Sequence, residues 1–216
     1  MLLFIETVHD FERYNILGRG ITMTKVYFVR HAHPDFSVQD DLTRPLSDRG
    51  QADVKKVTDF LISKDIHKVF SSPYKRAIDT VKDFAEKSNL EIHTVHDLRE
   101  RKIDDVWIED FNSFARQQWE DFEYKLSNGE CLREVQERNI AALQEILKEN
   151  KDKNIVIGTH GTALSTIINF YCESFKYDEF HRIKGFMPFV VCMEFEDVHY
   201  KNLEYTQLKN IEEFII

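Results

Sequence analysis

A chain of 216 residues, 42% hydrophobic and 31% charged, has the make-up of a globular protein with one sizeable core, organised as one domain or one domain with an insertion. Its formal net charge of −9 argues against a nucleic-acid surface, although a local basic pocket fits inside an acidic shell. Cys131, Cys172 and Cys192 are odd in number, widely spaced and form no CxxC pair, which argues for reduced, packed thiols rather than a disulfide framework or a zinc site.

In chain order, residues 1–22 come first, and their opening MLLFI is too short for a signal-peptide core before it meets Glu6, His9, Asp10 and Glu12. LGRG (17–20) breaks this segment, so 1–22 reads as an N-terminal extension and 23–216 as a single domain. A buried strand is expected over 25–30. It is followed by a helix over 48–63, capped by Ser47 and apolar through Val54, Val57, Phe60 and Leu61. HKVFSS (67–72) reads as a strand, 74–88 as a helix and EIHTVH (91–96) as a third strand. At about 104–126 an aromatic-rich insertion carries Trp107, Phe111 and Phe114 at helical spacing, as a helix packed on the body or a lid over a pocket. A strong amphipathic helix is expected over 132–149, then strand NIVIGTH (154–160), a helix over 161–172, and a closing pair of strands at 189–196 and 202–208. Strands alternating with helices imply a three-layer α/β/α sandwich with a mainly parallel central sheet. No apolar run is long enough to span a bilayer, and a cytoplasmic protein without a membrane partner is expected.

In open α/β sheets, ligands bind outside the carboxyl ends of the strands, where helix N-termini also point. The first strand ends in Arg30 and His31. The second leads to Arg76 in the first turn of the next helix, the third to Glu100, and the fourth to His160 just before a helix. If these strands run parallel, two arginines, two histidines and a carboxylate meet on one rim. Arginine forks match phosphate oxygens and stay charged at any working pH. A neutral imidazole can attack phosphorus, a second can stabilise the equatorial oxygens, and a carboxylic acid can protonate the departing oxygen and later activate water. Asp97 and Asp104 lie close enough in sequence to compete with Glu100 for the acid. His33 reads equally as pocket wall or solvated loop, and Arg44, Arg49, Arg99, Arg101 and Lys102 as solvated charges, with one of them available for a second anionic group.

The ordered motifs VRHAHPD, RPLSDRGQADV (44–54), FSSPYKRAIDT (70–80), LRER (98–101), NGECLREVQER (128–138) and IGTHG (157–161) resemble the histidine phosphatase superfamily, the group related to phosphoglycerate mutase, over about residues 24–208. Ala32 stands in the position of the family's motif glycine, and Cys131 where the family often has Ser. The resemblance implies His31 as nucleophile, Arg30, Arg76 and His160 as the phosphate pocket, and Glu100 as proton donor, with no metal and no cofactor. Where the mutases continue to Thr and Asn, this chain has Pro34 and, approximately, Ser37, and after the acid it reads KIDDVW without the family's frequent Gly. The expected function is hydrolysis of a phosphate monoester on a small phosphorylated metabolite through a phosphohistidine. A mutase-type transferase, a protein phosphohistidine phosphatase and a non-catalytic phospholigand-binding module are the alternatives. A homodimer is compatible with the sequence.

Overall fold

The computed structural model describes residues 23–208 and 212–214; the expected N-terminal extension, 1–22, lies outside the described residues. The strands are β1 (Thr24–Arg30), β2 (Ile66–Ser71), β3 (Ile92–Thr94), β4 (Asn154–Thr159), β5 (Phe189–Glu196), β6 (His199–Gln207) and β7 (Glu212–Phe214). The helices are α1 (Asp48–Leu61), α2 (Lys75–Lys87), α3 (Phe111–Glu120), α4 (Leu132–Glu149), α5 (Gly161–Tyr171) and α6 (Tyr177–Ile183), with a short 3₁₀ turn at His96–Leu98. All seven strands form one sheet in the order β3-β2-β4-β1-β5-β6-β7. β1 to β4 are mutually parallel where they pair, whereas β5, β6 and β7 extend the sheet in antiparallel fashion from β1. Among the described residues no helix is long and apolar enough to cross a membrane.

The strand alternation sorts the core into two layers, because successive side chains point to opposite faces. Val26 and Phe28 of β1, with Ile155 and Ile157 of β4, pack against α4 and α5 on one face. Tyr27, Val29 and Val156 face the other way and pack against Val57 and Leu61 of α1 and Val81 and Phe84 of α2. Both faces of the parallel strands are thus covered, as the near-continuous apolar runs require. Truncating one fully enclosed leucine or isoleucine here to Ala costs ~2–5 kcal/mol.

Local chemistry starts the helices where the sequence indicates. Ser47 Oγ accepts from Gly50 N at 3.2 Å at the head of α1. Cys131 Sγ caps α4 by accepting from Glu134 N at 3.5 Å, while Glu134 Oε2 accepts from Cys131 N at 2.9 Å, a capping box with a thiol in the usual hydroxyl place. Gly50 has a second duty, since a Cβ there would lie 2.1 Å from the carbonyl oxygen of His33. Gly50→Ala is therefore expected to lower stability by ~1–3 kcal/mol through overpacking, read as a lower denaturant midpoint, and to shift the loop that follows His31.

Several elements differ from the sequence expectation, among them the short closing strand β7, which was not foreseen. The third strand shortens to Ile92–Thr94 because the chain turns at His96–Leu98. Trp107 lies outside α3, since Asp110 Oδ1 accepts from Ser113 N at 3.0 Å and starts the helix after it; Trp107 is 64% exposed. α6 was not foreseen, because seven residues are too few to display a helical period.

Candidate active site

β1 ends inside the sheet, and the ladder continues one residue further, with His31 N donating to Thr159 O at 3.0 Å. The His31 ring is buried, and its Nδ1 lies 2.7 Å from the carbonyl oxygen of Ala32. A carbonyl only accepts, so Nδ1 carries the proton and Nε2 of the neutral ring is left with a bare lone pair. The turn itself is pinned by α2. Ala32 N donates to Thr80 Oγ1 at 2.9 Å, and Thr80 Oγ1 donates to Arg76 O at 2.7 Å. The spacing from Arg76 to Thr80, one helical turn, joins a pocket cation to the backbone beside His31.

Arg30 Nη1 donates to the carbonyls of Ile183 and Phe186, each at 3.2 Å, while its Nε is enclosed without a partner. A Cβ on Gly161 would come within 3.0 Å of Arg30 Nη2, so glycine at the start of α5 lets the guanidinium lie against the helix end. Arg76 is buried on α2 and donates from Nη1 to Asp41 O at 2.6 Å, with Asp41 Oδ1 at 3.2 Å. Asp41 Oδ1 also accepts from Arg44 Nη1 at 2.7 Å. Arg44, expected to be solvated, is in fact buried; its Nε and Nη2 donate to Val38 O and Gln39 O at 2.6 and 2.8 Å, folding residues 35–44 around it.

His160 is fully enclosed, its ring centroid 5.3 Å from that of His31 and 5.1 Å from that of Tyr74. Its Nε2 lies 2.7 Å from Ser72 Oγ, and among the described residues its Nδ1 has no partner. Glu100 reaches the N-terminus of α5. Its Oε1 accepts from Ala163 N at 3.0 Å and Arg101 N at 2.8 Å, and its Oε2 from Thr162 N at 3.0 Å. A carboxylate at a helix N-terminus is favoured by the orphan N–H groups and the helix dipole. Behind Glu100, Arg138 Nη1 donates to Asp97 O and Arg99 O at 2.7 and 2.8 Å and Nη2 to Glu100 O at 3.2 Å. Arg138 also pairs with both oxygens of Glu130, at 2.9 and 3.0 Å. The two competing acids stand apart from this arrangement: Asp97 pairs with Arg99 at 2.9 Å, and Asp104 accepts from Asp105 N at 2.7 Å. Arg101, expected in solvent, is buried, bonded to Gln118 Oε1, and lies over the rings of Phe111 and Phe114 at 5.5 and 5.1 Å.

Burial dominates the electrostatics. It lowers the Arg30 guanidinium to about 10, against the opposing pull of Glu100 and with help from Arg76. At neutral pH the group therefore remains a cation. Burial, then Arg76 and Arg30, push His31 well below the usual histidine range. Burial, then Arg76, His31 and Arg30, do the same to His160. Two neutral imidazoles thus share an enclosed pocket with two guanidinium cations, and Arg30 Nε and His160 Nδ1 are buried polar atoms without partners. Such unsatisfied groups are costly unless a ligand completes them, and a tetrahedral oxyanion carries acceptors suited to both.

The structure therefore brings Arg30, His31, Arg76, Glu100 and His160 to one rim, at the ends of β1, β2 and β4 and after β3. His33 stays at the edge, its Nδ1 2.9 Å from Ser47 Oγ and its ring edge-on to Phe36 at 5.5 Å. Residue types alone do not single out Ser72, Thr80, Glu130, Arg138 or Asp41. The run SSPYKRAIDT does contain two of them, at fixed distances from Arg76.

Known proteins are similar to this chain in sequence and fold. The family model described as Histidine phosphatase superfamily (branch 1) matches residues 26–207. Phosphoserine phosphatase 1 of Hydrogenobacter thermophilus is 26% identical over 186 residues, covering 74% of this chain and 87% of that protein. A phosphoserine phosphatase variant from Entamoeba histolytica, solved in complex with phosphoserine, superposes with a TM-score of 0.69 at 20% identity, covering 86% of this chain and 98% of the other. A mycobacterial glucosyl-3-phosphoglycerate phosphatase superposes with a TM-score of 0.67 at 16% identity, covering 86% and 99%. With its motifs in order along the sheet and a family match over most of its length, this chain belongs to the histidine phosphatase superfamily, branch 1.

Proposed function

We propose that this chain hydrolyses a phosphate monoester of a small metabolite through a phosphohistidine on His31. The observation that carries the reading is the His31 ring, held by Ala32 O with its Nε2 lone pair bare beside the guanidinium cations of Arg76 and Arg30. In the first step Nε2 attacks phosphorus and the ester P–O bond breaks, while Glu100 gives its proton to the departing alcohol oxygen. Oε1 of Glu100 already accepts two N–H groups and Oε2 only one, so the mobile proton belongs on Oε2. In the second step water attacks phosphorus, Glu100 takes a proton from it, and the N–P bond breaks to release inorganic phosphate and the neutral imidazole. Arg30, Arg76 and His160 hold the equatorial oxygens as charge moves. The name of the bacterial relative, phosphoserine phosphatase 1, supports a small phosphorylated substrate.

Hydrolysis is favoured over phosphoryl return to a second hydroxyl by Pro34 and Ser37. Pro34 is bridged to Leu46, and the exposed Ser37 turns both its N–H and its hydroxyl onto Asp35, at 3.0 and 2.7 Å. The test is release of inorganic phosphate from p-nitrophenyl phosphate and from a panel of phosphorylated metabolites. Absence of turnover on all of them, or isomerisation of a phosphoglycerate, overturns the reading. The same assay across pH has a signed expectation. Because His31 is shifted down, the nucleophile stays neutral as pH falls through 6.5, and the acid limb of kcat/KM lies well below that value. Stability behaves in the opposite sense. Below about 6.5 the unfolded chain binds protons that the buried, neutral His31 and His160 refuse, so the folded state loses stability as pH falls.

A further inference from the structure

The Ser72 hydroxyl is buried behind the pocket, and its hydrogen bonds decide something about His160 that ring position alone leaves open. Ser72 is anchored twice through its backbone: its N–H donates to Gly158 O at 2.9 Å, and its carbonyl accepts from Ser71 Oγ at 2.9 Å. Its Oγ accepts from Tyr74 N at 3.2 Å and lies 2.7 Å from His160 Nε2. A hydroxyl has one proton and two lone pairs. Among the described residues His160 Nε2 is the one acceptor in reach of that proton. Were Nε2 protonated instead, Ser72 Oγ would accept twice, and its own hydrogen would sit in a fully enclosed site with no acceptor, the arrangement buried polar groups avoid.

We infer that Ser72 is a positioning residue that fixes His160 as the Nδ1–H tautomer, making a neutral histidine a hydrogen-bond donor to the transferring phosphoryl group. The inference rests on the proposed hydrolase reading for what His160 donates to, but not for which nitrogen carries the proton. Among the described residues Nδ1 is enclosed and has no partner, and the ring is wedged between His31 and Tyr74, so the N–H has no other acceptor there to relax toward. In the opposite tautomer a bare Nδ1 lone pair would face an anion and repel it. Beside two guanidinium groups, a ring that donates while remaining uncharged adds a directed contact without adding a third cation. The sequence fits this division of labour. Ser72 directly follows β2 at the head of the segment that delivers Arg76, so one strand-to-helix connection sets both the charge and the tautomer.

The test reads the tautomer directly. Long-range ¹H–¹⁵N NMR of the ¹⁵N-histidine-labelled full chain near neutral pH, with His160 assigned by loss of its signals in His160→Gln, is expected to show a protonated Nδ1 and an unprotonated Nε2. Inorganic phosphate is expected to move the Nδ1 proton downfield. Ser72→Ala is expected to give the Nε2–H form or a mixture and to lower kcat by about 10–100-fold with KM little changed, the scale found when an outer-shell group that orients a metal-bound histidine is lost. Ser72→Thr, which keeps the hydroxyl, is expected to restore both the spectrum and most of the turnover. An Nε2–H ring in the wild-type protein overturns the inference without any variant, and so does a Ser72→Ala protein whose spectrum and kcat are unchanged. A wild-type Nδ1–H spectrum in a protein that turns over no phosphate ester supports the tautomer assignment while overturning the hydrolase reading, so the two failures are distinguishable.

Discussion

His31→Ala is expected to lower turnover of any phosphate monoester by on the order of 10⁴–10⁶-fold while leaving the fold in place. The chemistry has no substitute for this nitrogen. His160 is the other imidazole in the pocket, but its Nε2 is engaged with Ser72 and its Nδ1 is assigned the proton. The fold should survive because the contact tying residue 31 to the sheet is made by its backbone, His31 N to Thr159 O at 3.0 Å, and the neighbouring turn is held by Ala32 N on Thr80. The comparison is kcat for p-nitrophenyl phosphate alongside the circular dichroism spectrum and thermal midpoint. Wild-type-like turnover in a folded variant sinks the mechanism. The wild-type protein, quenched during turnover of labelled substrate, should carry an adduct that is acid-labile and alkali-stable, as a phosphorus–nitrogen bond is; an acid-stable adduct points to an oxygen nucleophile.

The second large effect separates chemistry from architecture at Glu100. Glu100→Gln is expected to cost ~10²–10⁴-fold on alkyl phosphates, whose departing oxygen needs a proton, and far less on p-nitrophenyl phosphate, whose leaving group departs as an anion. Glu100 is also structural, since three backbone N–H groups converge on its two oxygens. An amide would turn its NH₂ toward at least one of them, so some stability is lost as well. A purely structural carboxylate would slow both substrates by the same factor. Equal loss on the two esters therefore refutes the acid role, whereas a loss that grows with leaving-group basicity supports it.

Why the pocket was legible follows from where chemistry-bearing residues sit relative to strand ends. Parallel strands deliver their carboxyl ends to one rim, so Arg30, Arg76, Glu100 and His160 were placed together once the alternation of strands and helices was recognised. Depth was not legible. Arg44 and Arg101 look like surface charges in sequence, yet both are buried, because each finds partners that period and spacing do not reveal: three contacts from one loop for Arg44, two aromatic rings and an amide for Arg101. Trp107 shows the converse error. Its spacing to Phe111 matches a helix, but the Asp110 cap starts the helix after it and leaves the indole outside. Ser72 is the hardest case, since nothing in a pair of serines says which one turns its hydroxyl toward a histidine in a distant part of the chain.

The hold of Arg138, itself paired with Glu130, on the carbonyls of residues 97, 99 and 100 has a consequence for what can vary around the site. It fastens Glu100 to α4, a helix whose other face is core, rather than to the segment 104–110 that follows it in the chain. Under the proposed hydrolase reading, substitutions in 104–110 are therefore expected to leave Glu100 in place, whereas residue 41 must go on holding Arg76. Breaking the Arg138–Glu130 salt bridge is expected to loosen the backbone of residues 97–100 and lower turnover, although neither side chain is among the groups proposed to act on the ester.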